Sequence, residues 1–408
     1  MNQKIHIFTF FQYVTSAINS IKGFIFVIFL SPEAFGIWRT FYTTINYARY
    51  FDLGISTFSY YRGLIKDFKK SYINLIWRSV YVLIIPSSIC FSLVAYKYFN
   101  IFDMNIILMA ILIFFLSFAV QFYASMASIF KINRNIKNLI IMDISLASIS
   151  LFLSSLLGVI YGLNGILWGM TISYLLIFIY LCIYEKEGLS MQVAAKNYLV
   201  RNKRFITIIP NSFTYYLPGA VSVMFINVDL WFGANAVSSE IAGFFGLFMG
   251  FQILVSIAPS SISTWFYIDD AKGINNDLSK LLKVCSINFF ASLTVALIGL
   301  GLSYLLISIF LDKYMQTYIF IEAIFWTLPF FALRNILVNI IIIRNLSLIF
   351  SSIVLILILI KVYLFSIDSL DLYSFINIVR SFNIIFTVAI FLILFFSKIT
   401  NVRNYSKL

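Results

Sequence analysis

A succession of long apolar blocks constrains this chain more than any other feature. Each is about the ~20 residues that a helix needs to cross the hydrocarbon core of a bilayer. Twelve blocks are counted, at approximately 5–30, 36–63, 72–97, 105–129, 139–161, 165–185, 207–232, 241–268, 281–310, 319–342, 346–366 and 372–398. Lipid cannot hydrogen-bond an open backbone, so every block is expected to be a helix. The ~10-residue alternating segments of a membrane barrel are absent. Dividing 408 residues among twelve spans leaves 34 for each span and its connection, with no room for a separate water-soluble domain. The expected fold is an all-α polytopic membrane protein with twelve transmembrane helices.

Composition agrees. Hydrophobic residues make up 62% of the chain and charged residues 11%, against roughly 45–50% and 25% in soluble proteins. A soluble enzyme, a disordered chain and a disulfide-stapled secreted domain are thereby excluded. The net charge of +13 reads as topology rather than nucleic-acid binding, because most basic residues flank the spans. Cys90, Cys182 and Cys285 lie in apolar blocks at spacings that suit neither zinc nor a disulfide framework. One histidine, His6, leaves little scope for histidine-based metal or triad chemistry. The first block lacks a small-residue cleavage site and is expected to be retained.

Sorting the basic residues by connection gives an orientation. Twenty lie at one set of span ends, whereas only Lys97 and Lys313 lie at the other. The positive-inside rule then places both termini and the even-numbered connections in the cytoplasm. The longest polar connection, Glu185 to Arg204, divides the spans into six and six. The expected organisation is an N-terminal bundle 1–185, a cytoplasmic linker 186–206 and a C-terminal bundle 207–408.

The halves share a pattern. Pro32-Glu33-Ala34-Phe35-Gly36-Ile37-Trp38 and Ser239-Glu240-Ile241-Ala242-Gly243-Phe244-Phe245 both have a Glu, a Gly three residues on and an aromatic two further, at an offset of 207. The same offset pairs Lys22 with Asp229. Six spans per half give both halves one orientation, as in a parallel repeat around a central cavity.

Charges inside spans are costly and by default face a cavity or a partner. The basic ones are Lys22, Arg39, Arg49, Arg78, Arg334, Lys361 and Arg380; the acidic ones are Asp52, Asp143, Asp229 and Glu322. Arg39, Glu322, Arg78 and Asp143 lie near span ends and can snorkel. Lys361 is ambiguous. For the deeper Lys22, Arg49, Asp52, Arg334 and Arg380, an ion pair between helices and a functional role are both open readings. Polar residues also follow the helical period. Span one carries Gln12, Thr15, Ser16, Asn19 and Lys22; span two carries Arg39, Tyr42, Thr43, Asn46, Arg49 and Tyr50. Asn211, Thr214, Tyr215, Pro218, Ser222 and Asp229 line span seven, and Gln252, Ser256, Pro259 and Ser263 line span eight. Such stripes point to a wet central cavity. Pro210 and Pro218 make span seven either a moving gate or a static kink.

Leu30-Ser31-Pro32-Glu33-Ala34-Phe35-Gly36-Ile37-Trp38, followed by Tyr50-Phe51-Asp52-Leu53-Gly54-Ile55, resembles the opening hairpin of polysaccharide and O-antigen flippases. These belong to the multidrug/oligosaccharidyl-lipid/polysaccharide exporter superfamily. The resemblance in motifs covers about residues 20–56, with a weaker echo at 229–245, and the six-plus-six layout extends it over the chain. It implies a bacterial inner-membrane carrier of undecaprenyl-pyrophosphate-linked sugar repeat units, with two bundles around a cationic cavity. It also implies that Lys22 and Arg49 line that cavity; Lys at position 22 keeps the charge of the more usual Arg but loses its bidentate fork.

A pyrophosphate needs fixed cations in a low-dielectric cleft. Lys22, Arg49, Arg334 and Arg380 are therefore the expected substrate cations, with Asn46 and Asn211 as polar partners. Gln12, Asn19, Tyr42 and Tyr215 are further expected partners for the sugar. Asp52 and Asp229 are the expected coupling sites for a proton or cation. The expected partners are the lipid-linked oligosaccharide, membrane lipids and other polysaccharide-assembly membrane proteins; nucleic acid is not one of them. Paired catalytic carboxylates, a glycine-rich phosphate loop and a metal-ligand cluster are lacking, so no cofactor and no enzyme activity are expected. One rival reading is a multidrug/cation antiporter of the same superfamily, which would need an acidic cavity. The other is a membrane polymerase, which would need a large outer loop.

Overall fold

The computed structural model describes residues 2–65, 69–98, 106–133, 135–184, 202–253, 278–343, 346–367 and 370–399. Residues 186–201 of the expected linker 186–206, the stripe residues Ser256, Pro259 and Ser263, and the C-terminal tail from 400 lie outside them. Among the described residues the regular structure is helical, and nine helices are long and apolar enough to cross a membrane. The elements are α1 (Asn2–Phe29), α2 (Pro32–Tyr47), α3 (Ile55–Ile65), α4 (Lys69–Ser79), α5 (Ile85–Tyr98), α6 (Ile106–Ile132) and α7 (Ile136–Tyr184). They continue with α8 (Asn202–Val228), α9 (Ser239–Ile253), α10 (Leu278–Phe310), α11 (Thr317–Ile324), α12 (Leu328–Ile343), α13 (Ser347–Phe365) and α14 (Leu372–Ile399). Helix covers each of the twelve expected spans, for span eight as far as Ile253.

Departures from regular helix have local causes. Spans five and six form α7, which reverses at Gly162 with φ 58°. A Cβ on Gly169 would lie 2.5 Å from the Cα of Ser154, so the two arms lie antiparallel. Between α4 and α5 the helix widens into a π turn, Val80–Ile84, just before Pro86. Proline cannot donate to the preceding turn, and the wider turn accommodates that loss. Pro329 similarly follows a 3₁₀ turn, Phe325–Thr327. Pro210 and Pro218 lie within the continuous helix α8.

Span two is broken between α2 and α3. Leu53 and Gly54 take left-handed conformations, φ 51° and 76°. Backbone groups freed at membrane depth must find new partners. The Asp52 carboxylate accepts from the Gly54 and Ser56 amides at 2.9 and 2.8 Å. The Ser212 hydroxyl on α8 donates to the Leu53 carbonyl at 3.0 Å. A Cβ on Gly54 would sit 2.5 Å from that of Tyr216, so the Asp-Leu-Gly motif is a capped helix break against α8.

Contacts divide the chain into two compact units. The first comprises Met1–Phe29 with Phe41–Ala220, and the second Leu30–Thr40 with Val221–Leu408. These edges differ from the expected 1–185 and 207–408. Ser212, Tyr216 and the Tyr47 hydroxyl, which reaches the Ala220 carbonyl at 3.4 Å, bind the start of α8 to the first unit. The Lys313 ammonium donates to the Leu30 carbonyl at 2.6 Å and seats segment 30–40 in the second.

In that second unit the repeated motif is a structural repeat. Ser31 caps α2 by accepting from the Ala34 amide at 3.2 Å, and Ser238, 207 residues on, caps α9 by accepting from the Ile241 amide at 3.0 Å. Pro32 starts α2, where its missing amide hydrogen costs nothing. The two turns then pack on each other. A Cβ on Gly36 would collide with the Ser239 carbonyl and approach the Gly243 nitrogen to 2.7 Å; one on Gly243 would collide with the Pro32 carbonyl. The Ser239 hydroxyl also donates to the Glu33 carboxylate at 3.2 Å. The motif thus encodes a close, reciprocal approach of two helix starts.

Candidate functional site

In the first unit, α1 lies along the opening arm of α7. Gln12 donates to Asp143 at 3.0 Å and the Lys22 ammonium donates to the Ser150 hydroxyl at 3.0 Å, so the two helices run in one direction. The α1 stripe therefore meets polar groups of α7. Lys22 is buried, and among the described residues no carboxylate lies within ion-pair distance of it. Tyr42 of α2 is within electrostatic reach.

Arg49 lies one turn beyond α2, in the 3₁₀ turn Ala48–Tyr50. Its side chain is exposed. The guanidinium is oriented by Asn46: Nε donates to the Asn46 carbonyl at 3.1 Å and Nη2 to Asn46 Oδ1 at 2.9 Å. Asn46 in turn donates to the Tyr42 carbonyl at 2.9 Å. Asn46 thus fixes one edge of the fork. No carboxylate pairs with Arg49 among the described residues. Around it stand Tyr123 of α6 and Tyr174 of α7, both within its electrostatic reach, their rings packed edge to face at 6.2 Å. Tyr123 donates to the Asp143 carboxylate, which Gln12 also binds, and Lys131 is within electrostatic reach of that carboxylate. Asp143, expected to snorkel, is instead held by side chains of two helices.

The second unit arranges its charges differently. Asp229 opens a π turn, Asp229–Ala234, at the end of α8. Its carboxylate lies 2.5 Å from the Lys361 ammonium of α13, and both side chains are buried. The ammonium stands 4.2 Å from the Phe225 ring centre and 5.6 Å from that of Phe382. It lies 3.4 Å from the Phe225 carbonyl. Arg334 of α12 packs on the Phe331 ring at 4.4 Å and is within electrostatic reach of Lys361.

Of the expected site residues, the structure brings Asn46 and Arg49 into direct contact, with Lys22 joined to the same region through Tyr42 and Tyr174. Asn211 is exposed on α8, its carbonyl accepting from Thr214 at 2.8 Å, and it makes no bond to those three among the described residues. Arg334 and Arg380 belong to the second unit, Arg380 being exposed on α14. Asp52 caps α3, and Asp229 already holds a cation. The reading of the residues missed Asp143, Tyr123 and Tyr174, and left Lys361 open. The 207-residue offset relates Lys361 to Ser154, one helical turn from the Ser150 that meets Lys22, a relation that shows only once that contact is known. Among the described residues no group of three His, Cys, Asp or Glu side chains is placed to hold a metal.

Neither a family model nor a curated protein sequence matches this chain. Solved structures do. A multidrug-resistance MATE transporter of the MOP superfamily, inward-facing, superposes with a TM-score of 0.68 at 14% identity, over 96% of this chain and 96% of that one. The chain shares the fold of that structure. The lipid II flippase MurJ, in an inward closed conformation, superposes with a TM-score of 0.61 at 16% identity, over 96% of this chain and 87% of that one. A MOP transporter from Pyrococcus furiosus, for which reverse polarity of the binding pocket suggests a different function, gives a TM-score of 0.58 at 13% identity, over 95% and 93%. These similar structures are transporters and flippases rather than enzymes, and this chain is a multi-pass membrane protein.

Proposed function

We infer that this chain flips an anionic, lipid-linked oligosaccharide across a bacterial inner membrane. In this reading both termini are cytoplasmic and two six-helix bundles, 1–185 and 207–408 about the linker 186–206, alternate in access. The substrate class is an undecaprenyl-pyrophosphate-linked, O-antigen-type repeat unit. The observation that carries the reading is Arg49, exposed in the first unit, oriented by Asn46 and not neutralised by a carboxylate among the described residues. A guanidinium with a free edge suits a phosphate oxygen. Lys22 adds a second cation, and Tyr123, Tyr174 and Gln12 offer aromatic and hydrogen-bonding surface for sugars. Arg334 and Arg380 are the substrate cations proposed for the second unit, with Asn211 as a polar contact on α8. Asp52 is assigned to holding the helix break.

Physics sets the direction. In an inside-negative cell, outward movement of a diphosphate is favoured by roughly 2.3 kcal/mol per charge per 100 mV, and strict ion coupling is not required. Other polysaccharide-assembly membrane proteins are the proposed partners.

The test replaces Arg49 with Ala and with Lys and follows lipid-linked units by leaflet. The reading expects accumulation on the cytoplasmic leaflet in R49A and partial relief in R49K. Unchanged surface polysaccharide at equal protein level in both variants overturns the site. One observation favours a second reading, a multidrug/cation exporter: Asp143 with Tyr123 and Gln12 is an acidic, aromatic group beside Arg49. Uptake of a cationic dye that D143N abolishes and R49A leaves intact would select that reading.

A further inference from the structure

The surroundings of Lys361 have the composition of a cation-binding cage. A carboxylate oxygen lies at 2.5 Å and a main-chain carbonyl at 3.4 Å. Two aromatic rings present themselves with centres at 4.2 and 5.6 Å. Carboxylate and carbonyl oxygens are the ligands hard cations take, and aromatic faces attract ammonium groups. The ammonium and carboxylate side chains are 0% and 5% exposed, so the site is dry and the carboxylate cannot be left alone without a large cost. Phe225 on α8 supplies both a ring and a carbonyl, and Asp229 follows it by one helical turn at the start of the π turn. The cation enters from α13 on a four-carbon stem.

We propose that Asp229, Phe225 and Phe382 form a monovalent-cation cage that the chain fills with its own Lys361 ammonium. No exchangeable sodium, potassium or ammonium ion is then bound at Asp229 in the native chain. Truncating the stem opens the site to a free cation. The chemistry favours a primary alkylammonium, which reproduces the lost group, over a bare alkali ion. This inference rests on the fold and the cage geometry, and its binding test is read without any transported substrate.

The experiment uses the full chain purified in detergent, with thermal unfolding followed at constant ionic strength. The probes are n-propylammonium, sodium and potassium chloride, with N-methylglucamine chloride as the inert salt. Native protein is expected to melt at one temperature in all four. K361A is expected to melt several degrees higher in n-propylammonium, which carries the three carbons and the ammonium that Ala lacks, with a smaller rise in potassium or sodium. D229N/K361A is expected to lose the response, and K361M, whose side chain fills the space, never to show it. K361A/R334Q also removes Arg334, a cation within electrostatic reach of Lys361, and is expected to respond at least as strongly as K361A. Indifference of K361A and K361A/R334Q to every probe overturns the proposal. So does an equal response in D229N/K361A, or a sodium or potassium response of the native protein that D229N abolishes. Should K361A fail to accumulate, expression with n-propylammonium is expected to restore its yield, and failure to restore it overturns the cage. Absence of flipping by the native protein would remove the proposed function and leave these outcomes standing.

Discussion

Positions 22 and 229 lie 207 residues apart, at equivalent places in the repeated pattern, and carry opposite charges. Each is buried and each meets a helix four spans further on. Lys22 leans on a hydroxyl, Ser150, whereas Asp229 meets a full countercharge, Lys361. Among the described residues of the first unit, Lys22 and Arg49 therefore carry positive charge that no carboxylate pairs with. In the second, a buried acid and a buried base satisfy each other. The pair of positions thus carries a cation on a hydroxyl in one unit and a closed ion pair in the other.

The contrast breaks most sharply at Lys361. K361M leaves a buried carboxylate uncompensated and is expected to cost about 3–5 kcal/mol, most of it recovered in D229N/K361M. K22M has no such carboxylate to strand and is expected to stay within about 1 kcal/mol of the native protein. Thermal unfolding in detergent compares the three; equal losses in K22M and K361M would erase the distinction between the units.

Function is expected to show the opposite asymmetry. R49A should weaken capture of a pyrophosphate-bearing lipid about tenfold to a hundredfold, the worth of charge-assisted hydrogen bonds of about 1.5–3 kcal/mol, while unfolding barely changes. R49K should fall between, because an ammonium keeps the charge and loses the fork. Binding of a radiolabelled lipid pyrophosphate checks both variants.

Within the second unit, where the two motifs touch, the two glycines should behave alike. G36A and G243A each place a methyl group into backbone atoms that cannot retreat, and each is expected to cost about 1–3 kcal/mol. G250A, whose methyl meets nothing within 4 Å, should stay within about 0.5 kcal/mol. A difference between G36A and G243A larger than that control would deny the reciprocity.

The smallest effect belongs to one of the two turns that precede the last span of each half. One reverses at Gly162; the other ends at Asp371, which caps α14 by accepting from the Ser374 amide at 2.8 Å. The Ser374 hydrogen bonds hold the Asp371 carboxyl below the usual carboxylate range. Its contribution is therefore complete above the unfolded value and is lost as pH falls through the folded one. D371A should accordingly melt slightly lower near neutral pH and match the native chain in acid. A constant difference across that range would assign the effect to something other than the cap.

Much of the fold was legible because lipid enforces helix wherever ~20 apolar residues run together. The motif at 31–36 and 238–243 could also be read, since caps and close-approach glycines leave type-specific marks. The site was legible only in part. Asn46 and Arg49 are three residues apart on one helical face, a spacing that sequence shows directly. Lys361 with Asp229, and Asp143 with Tyr123 and Gln12, join residues from separate helices, and periodicity does not say which stripes face one another. Asp52 has a structural task that periodicity does not show. An ionisable residue at membrane depth looks functional by default, yet this one satisfies amides released by a break that Leu53 and Gly54 impose.

The reciprocal approach of Gly36 and Gly243 has the form of an isologous joint, in which one patch serves as both plug and socket. Such a joint cannot be loosened from one side alone. Any movement that withdraws the first turn from its seat unseats the second by the same distance, so the start of α2 and the start of α9 part together or stay closed together.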